Sequence, residues 1–180
     1  MALGEIMKKN NVQKIILSAV LLCLGIVLPF FTGQIKEIGD SLLPMHLPVF
    51  LCGFLCGFKY GGTIGLLLPF MRSFIFSMPP VYPNAVWMAL ELCAYGAVSG
   101  FLYGKGKKRS ILYTYFCLVS SMLCGRIVWG ISKTVLLGLS GKATTFAAFI
   151  SGGFIDALPG IILQLIFIPV IVKFAEKHIA

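Results

Sequence analysis

One stretch of the chain, residues 84–103, is apolar over the length of a membrane crossing and nevertheless contains a carboxylate, Glu91. About 20 predominantly apolar residues are enough for a helix to span a bilayer. A carboxylate in such a helix is costly in hydrocarbon, and it usually faces the interior of a helix bundle or a wet cavity. The stretch therefore predicts a transmembrane helix with one face turned away from lipid, and we expect the rest of the chain to surround that face.

The same helix carries three stripes of residues at helical spacing. Small residues recur at every fourth position along two of them, namely Ala85, Ala89, Cys93 and Ala97 on one and Gly96, Gly100 and Gly104 on the other. Such spacing lets neighbouring transmembrane helices approach closely. The third stripe is polar and aromatic and consists of Asn84, Trp87, Met88, Glu91 and Tyr95. The pattern predicts two packing faces and one face that lines a binding site.

The composition agrees with a membrane protein. Of the 180 residues, 58% are hydrophobic and 12% are charged, whereas soluble domains average roughly 25% charged residues. Six apolar runs, at about residues 15–31, 47–58, 61–77, 84–103, 111–139 and 146–172, nearly exhaust the chain. We therefore expect an all-α fold: a single integral-membrane six-helix bundle over residues 1–180, with no separate soluble domain.

The basic residues indicate an orientation. The net charge is +9, but most of the positive residues lie in short loops between apolar runs, which favours membrane orientation over nucleic-acid binding. The side holding both termini collects Lys8, Lys9, Lys14, Lys59, Lys105, Lys107, Lys108, Arg109, Lys173 and Lys177. The other side has Lys36 and Lys142. This asymmetry predicts that both termini are cytoplasmic.

Ionisable residues inside the helices are the candidates for function. Counted from the helix ends, Glu91 lies roughly 10 Å below the outer surface and Arg126 roughly 22 Å above the inner one, so both belong to the outer half. Together with Arg72, Lys133 and Asp156 they predict an outward-facing pocket with one net positive charge, suited to a neutral or mono-anionic small molecule. In the alternative interpretation, the carboxylates neutralise the arginines and hold the helices together.

The full set of candidate substrate-binding residues is His46, Arg72, Asn84, Trp87, Met88, Glu91, Tyr95, Arg126, Trp129, Lys133 and Asp156. The two tryptophans, Met88 and Tyr95 supply stacking and apolar walls. For His46, an interfacial position without a partner is the favoured interpretation, and a place at the pocket mouth is the alternative. The proline-rich loop at residues 78–83 is either a rigid connector or a lid.

Other classes of function lack their signatures. The stretch at residues 138–143 is the nearest approach to a phosphate-binding loop, and it lacks the required spacing and Ser/Thr. No nucleophile lies at the depth of a histidine, so an enzyme is not expected and we assign no catalytic residue. The six cysteines all lie in apolar runs, which favours packing over redox chemistry. His46 has no second histidine nearby, so neither a metal nor another resident cofactor is expected.

The pattern resembles a known family. The segments PMHLPVFLCGFLCGFKYGGTIGLLLPFMRSFIFSMPP, ALELCAYGAVSGFLYG, GRIVWG and DALPGIILQLIFIP look like those of the substrate-binding (S) components of energy-coupling factor (ECF) vitamin transporters. The resemblance covers nearly the whole chain. It implies a multi-pass protein of the bacterial plasma membrane that binds a water-soluble vitamin or a vitamin precursor from outside.

The resemblance also implies partners. An S component docks on a membrane coupling subunit, the T component, which carries two cytoplasmic ATPases, and then topples to release its substrate inside. The docking motif of the family is a pair of alanines on the first helix, and the matching pair here is Ala19 and Cys23. An acid such as pantothenate and a neutral heteroaromatic precursor both remain open as the substrate. The alternative function is a stand-alone carrier or channel for a small solute that works without ATP.

Overall fold

The computed structural model describes residues 11–32, 42–106, 110–139 and 151–179. Every regular element in these ranges is helical, so the all-α prediction is confirmed for them. The six α-helices are α1 (Asn11–Val27), α2 (His46–Cys56), α3 (Phe58–Phe76), α4 (Val86–Lys105), α5 (Ile111–Leu139) and α6 (Leu158–Ile179). The predicted loops around Lys36 and Lys142, the basic residues 107–109 and the predicted start of the last helix at Phe146 lie outside the described residues.

Short irregular segments precede or follow three of the helices. A 3₁₀ turn, Leu28–Thr32, follows α1, and π turns at Val81–Ala85 and Ser151–Ile155 lead into α4 and α6. The Val81–Ala85 turn contains the extended residue Tyr82 (φ −121°, ψ 135°), so the chain bends there before α4 begins. The loop before this turn is tied to α3, because the hydroxyl of Ser73 in α3 donates a hydrogen bond to the carbonyl oxygen of Pro79 in the loop.

The last predicted helix is interrupted within the described residues. Its predicted start at residue 146 lies outside them, but Ser151–Ile155 forms a π turn inside the predicted range, and the α-helix α6 begins only at Leu158. Pro159 occupies the first turn of the helix, where its missing N–H removes no helical hydrogen bond. The helix then continues to Ile179, past the predicted end at residue 172. In this extension, the Nζ atom of Lys173 lies 2.6 Å from Oε2 of Glu176, one turn further along the helix.

Within the described residues, four helical segments are long and apolar enough to cross a membrane: Asn11–Phe30, Val81–Lys105, Ile111–Leu139 and Leu158–Lys177. The helix α2 is apolar but has only 11 residues, which is roughly 17 Å of helix and well short of a bilayer core. The helix α3 has 19 residues, but glycines, Lys59 and Arg72 reduce its hydropathy. The six-helix bundle therefore contains spans of unequal character, and the cytoplasmic placement of the termini stays a prediction.

Glycines hold α2, α3 and α4 in close contact, as the small-residue stripes of α4 predict. A Cβ atom added to Gly61 of α3 would lie 2.6 Å from the carbonyl oxygen of Gly96 on α4, and one added to Gly53 of α2 would lie 2.6 Å from the same oxygen. The alanine and cysteine stripe of α4 also packs on α3, because Gly62 faces Ala97 and Cys93. Backbones can approach this closely where no side chain intervenes.

The remaining helices surround this centre. The helix α1 lies against α2 and α3, where Gly25 contacts Leu68 and Pro48. The helix α5 lies against α4, and Gly125 gives room to the ring of Tyr95. The helix α6 contacts α2 and α5. This arrangement brings the polar face of α4 between α2, α5 and α6, away from the outer surface of the bundle.

Candidate functional site

A buried ion pair joins α4 to α5. The Nη1 atom of Arg126 donates a hydrogen bond of 2.9 Å to Oε1 of Glu91. Glu91 is 2% exposed and Arg126 is 5% exposed. Burying either charge alone would cost several kcal/mol, and the partner in hydrogen-bond contact offsets much of that cost. The pair explains how two ionised groups persist inside apolar helices, and it agrees with the alternative interpretation in which Glu91 neutralises an arginine.

Tyr95 and His46 complete a network around the carboxylate. Tyr95 lies one helical turn after Glu91 on α4, and its hydroxyl donates a 2.9 Å hydrogen bond to the same oxygen, Oε1. His46, the first residue of α2, has its Nε2 atom 3.6 Å from that oxygen. Its ring lies 5.2 Å from the ring of Tyr95. Three helices therefore meet at one carboxylate oxygen.

The position of His46 differs from the favoured expectation. An interfacial histidine without a partner was expected, but His46 is 2% exposed and its Nε2 atom lies 3.6 Å from Oε1 of Glu91. Neither of its ring nitrogens has a hydrogen-bond partner among the described residues. The reason is the packing of α2 on α4, which places the first residue of α2 against α4 and not at the bundle surface.

An aromatic and cationic cluster continues from this network along α5. The Nζ atom of Lys133 lies 4.4 Å from the centre of the Trp129 ring and 5.9 Å from that of Trp87 on α4. The guanidinium of Arg126 lies 5.9 Å from the Trp129 ring. The positions 126, 129 and 133 are one turn apart, so the cation–π contacts follow directly from the helical spacing on α5. Trp129 thus connects the buried ion pair to Lys133.

Arg72 and Asp156 lie apart from the network. Arg72 of α3 is 3% exposed, and its guanidinium lies 5.9 Å from the ring of Phe76, one turn away on the same helix. Its Nε and Nη1 atoms have no hydrogen-bond partner among the described residues. Asp156 is exposed, precedes α6, and accepts a 3.4 Å hydrogen bond from Ser151. Because α6 begins after Asp156, this carboxylate does not project from the helix as the sequence suggested.

The last two predicted residues lie near the start of α4. Asn84 is partly buried in the turn that leads into α4, and Met88 packs against the hydrophobic core. The structure therefore brings His46, Glu91, Tyr95 and Arg126 together, and it joins Trp87, Trp129 and Lys133 to them through α5.

A cavity of about 170 Å³ opens between α5 and α6, directly beside Arg126. Its walls are formed by Tyr95, Val119, Met122, Leu123, Arg126, Ile161, Gln164 and Leu165. Gln164 was not among the predicted site residues. It is 2% exposed, and its amide nitrogen has no hydrogen-bond partner among the described residues. The sequence offered one indication of this residue, a single amide side chain within an apolar helix.

A second cavity, of about 230 Å³, lies at the other end of α4. It is lined by Phe54, Gly57, Phe58, Gly100, Phe101, Tyr103, Gly104 and Lys105. The hydroxyl of Tyr103 is already bonded to Glu176 at 2.5 Å, and the Lys105 ammonium lies over the ring of Phe101 at 4.1 Å. None of the predicted substrate-binding residues lines this cavity.

The predicted docking pair lies on the outer face of α1. Ala19 and Cys23 are both exposed, and their neighbours on that side of the helix are exposed apolar residues such as Ile16 and Val20. The opposite side of α1, at Ser18, Leu21 and Gly25, is buried. The face carrying Ala19 and Cys23 is thus not covered by any described part of the chain.

The sequence model of the family described as ECF transporter, substrate-specific component, matches residues 13–172. The chain belongs to this family. The match covers all six helices apart from the first residues of α1 and the end of α6, so the S-component assignment applies to the whole bundle. No curated protein and no solved structure matches the chain in the corresponding comparisons. Membership identifies an S component, a transporter subunit that captures substrate, and it agrees with the several membrane-spanning helices.

Proposed function

We propose that this S component captures a water-soluble vitamin or vitamin precursor at the outer face of the bacterial plasma membrane. Import of the substrate is then driven by a T component with two cytoplasmic ATPases. The observation that carries the proposal is the buried Glu91–Arg126 pair beside the cavity between α5 and α6. In a chain of this family, polar groups held inside the bundle next to an open volume are the natural place for a polar solute.

The network is suited to hold a ligand because its donors are fixed before the ligand arrives. Glu91 orients Arg126 by accepting a hydrogen bond from one of its nitrogens, Nη1. A guanidinium has five N–H donors, so this one hydrogen bond does not use them all. Trp129 supplies a flat apolar surface next to Arg126. We assign binding first to Tyr95, Arg126 and Trp129, with Glu91 and His46 as positioning residues.

Of the other predicted contacts, Trp87 and Lys133 are proposed to form the outer mouth of the site, whereas a role in binding for Arg72, Asn84, Met88 and Asp156 stays a prediction. Lys133 and Trp87 continue the cluster that begins at Arg126.

Docking on the T component is proposed to use the face of α1 that carries Ala19 and Cys23. Its exposure and apolar character support this assignment. Small side chains at both positions permit close approach by another apolar helix. The surface is separate from the Glu91–Arg126 network, so docking and substrate binding are expected to respond to different substitutions.

Native mass spectrometry of the purified chain tests the capture step. We expect a small molecule to co-purify, and a panel of vitamins and precursors to contain one compound that raises the unfolding temperature and binds in calorimetry. Arg126→Lys is the matched variant, because it keeps a positive charge beside Glu91 and removes the guanidinium; it should bind the same compound more weakly. Absence of binding to every compound of the panel, with nothing co-purified, would sink the proposal.

Reconstitution in liposomes tests the coupling step. Uptake of the bound compound should require the T component, both ATPases and ATP. Uptake by the purified chain alone would instead establish a carrier that works without ATP.

A further inference from the structure

The cavity between α5 and α6 contains a polar group that no contact in the described chain explains. Gln164 projects from α6, is 2% exposed, and lines the cavity. Its Nε2 atom has no hydrogen-bond partner among the described residues. A buried amide without a partner carries a free-energy penalty. A retained group of this kind, facing an open volume, is accounted for if a ligand completes its hydrogen bonds.

The positive charge at the polar end of the cavity is already compensated. Arg126 is the charged residue in the lining, and its charge is compensated by Glu91 at 2.9 Å. An anionic ligand would therefore place its charge beside an arginine whose own charge is already neutralised, which is unfavourable. A neutral ligand avoids that cost and still accepts hydrogen bonds from Gln164 and from Arg126.

The size and the other walls limit the shape of the ligand. A cavity of about 150 Å³ accommodates benzene, and this one measures about 170 Å³. Apart from the polar residues, its walls are Val119, Met122, Leu123, Ile161 and Leu165. These side chains suit a flat or compact apolar ring. The polar residues Tyr95, Arg126 and Gln164 complete the lining.

We infer that Gln164 is the specificity-determining donor of the substrate site, and that the substrate is a neutral single-ring compound with a carbonyl or ring-nitrogen acceptor. This inference rests on the proposed function. The amide of Gln164 donates to the acceptor, Arg126 lies beside the same edge of the ring, and the aliphatic side chains of the lining contact the rest. Charged acids of comparable size are disfavoured because Glu91 already neutralises Arg126.

A defined panel of probes tests the substrate class by calorimetry. The neutral single-ring probes are pyridoxine, nicotinamide and 4-amino-5-hydroxymethyl-2-methylpyrimidine. The anionic probes are nicotinate, pantothenate and biotin. Nicotinamide and nicotinate form a matched pair, because they share one ring and differ in charge. The inference requires that the tightest ligand be neutral and single-ringed; an anionic compound as the tightest ligand overturns it.

Gln164→Met tests the residue with the tightest ligand found. Loss of one buried hydrogen bond is expected to weaken binding about tenfold, while the unfolding temperature in the absence of ligand stays equal or rises, since an unpartnered amide is removed. A structural role would instead lower the unfolding temperature.

Gln13→Met, on the exposed face of α1, is the control and should leave the affinity unchanged. If Gln164→Met does not fold, the isosteric Gln164→Glu replaces it and should weaken binding to a similar degree.

The outcomes separate this inference from the proposed function. If the wild-type chain binds a probe and Gln164→Met binds it equally well, the role of Gln164 is wrong and substrate capture stands. If the wild-type chain binds no probe and nothing co-purifies with it, substrate capture itself fails and the inference falls with it.

Discussion

Arg126 on α5 donates a 2.9 Å hydrogen bond to Glu91 on α4, and both side chains are more than nine-tenths buried. The pair joins two helices that cross the bundle side by side, and the hydroxyl of Tyr95 donates to the same carboxylate oxygen. The ion pair and the packing of the Tyr95 ring against Gly125 of α5 together hold the relative rotation of α4 and α5. The cavity, the aromatic cluster and the proposed binding residues all depend on that rotation.

Removing one member of this pair should destabilise the protein strongly. Glu91→Met or Arg126→Met leaves a buried charge without its partner, and we expect a loss of about 3–5 kcal/mol in the free energy of unfolding for each. The double variant should lose less than the sum of the two, because it leaves no unpaired charge. Denaturant unfolding in detergent measures all three.

The neighbouring residue Ile127 gives the control for this cycle. It is 58% exposed on the outer face of α5, and Ile127→Ala should change stability by no more than about 0.5 kcal/mol. Additive losses in the double variant would show that the two side chains do not act as a pair.

The close approach of α3 and α4 should not tolerate a single methyl group. A Cβ atom on Gly96 would overlap the backbone of Gly61, with the Cα atom of Gly61 at 3.0 Å. We expect Gly96→Ala to cost about 1–3 kcal/mol of stability or more, because the backbones must separate. The matched variant is Gly138→Ala near the end of α5, where a Cβ atom would meet nothing within 4 Å.

Gly138→Ala is expected to be neutral or stabilising, since alanine favours the helical state by roughly 1 kcal/mol over glycine. Thermal unfolding of the two variants beside wild type makes the comparison. Equal behaviour of both variants would contradict the tight α3–α4 contact.

The two tryptophans of the chain should differ in their access to solvent quenchers. Trp129 is 8% exposed, whereas Trp87 is only partly buried. In the variant Trp129→Phe, which retains Trp87, acrylamide should quench the fluorescence more steeply than in Trp87→Phe, which retains Trp129. Stern–Volmer plots of the two single-tryptophan proteins give the answer. A steeper plot for Trp87→Phe, the variant that retains Trp129, would mean that the Trp129 ring is not enclosed between α4 and α5.

Local signals in the sequence were sufficient for much of the helical framework. The predicted helix at residues 111–139 is confirmed by α5, because in the sequence its apolar run is bounded by the basic stretch at residues 105–109 and by Ser140-Gly141. The small-residue stripes of α4 predicted its contact with α3, since backbone approach depends on residue size at a fixed spacing. The burial of Glu91 and Arg126 followed from their depth in apolar helices.

The rest depended on information that hydropathy does not contain. Residues 146–172 are apolar enough to be predicted as one helix, so the π turn at Ser151–Ile155 before α6 did not follow from hydropathy alone. Rotation of α6 about its axis determines that Gln164 faces the cavity, and a single sequence does not specify that rotation. His46 was misjudged because its burial is produced by the packing of α2 on α4, a tertiary contact.

A bulky side chain on the outer face of α1 should impair uptake without affecting substrate binding. Cys23 and Cys124 are both exposed cysteines, the first on α1 and the second on α5, so the same substitution is available at a proposed docking surface and at a site away from it. In Cys23→Leu, added bulk at a close helix contact should cost about 1–3 kcal/mol of association, or roughly a 5- to 150-fold weaker complex with the T component. Cys124→Leu should behave as wild type.

ATP-dependent uptake in proteoliposomes, together with calorimetric substrate binding by the isolated chain, separates docking from capture. Unchanged uptake by both Cys23→Leu and Ala19→Leu would show that the coupling module docks elsewhere, and a parallel loss of substrate binding would show that the substitutions disturb the bundle and not the docking surface.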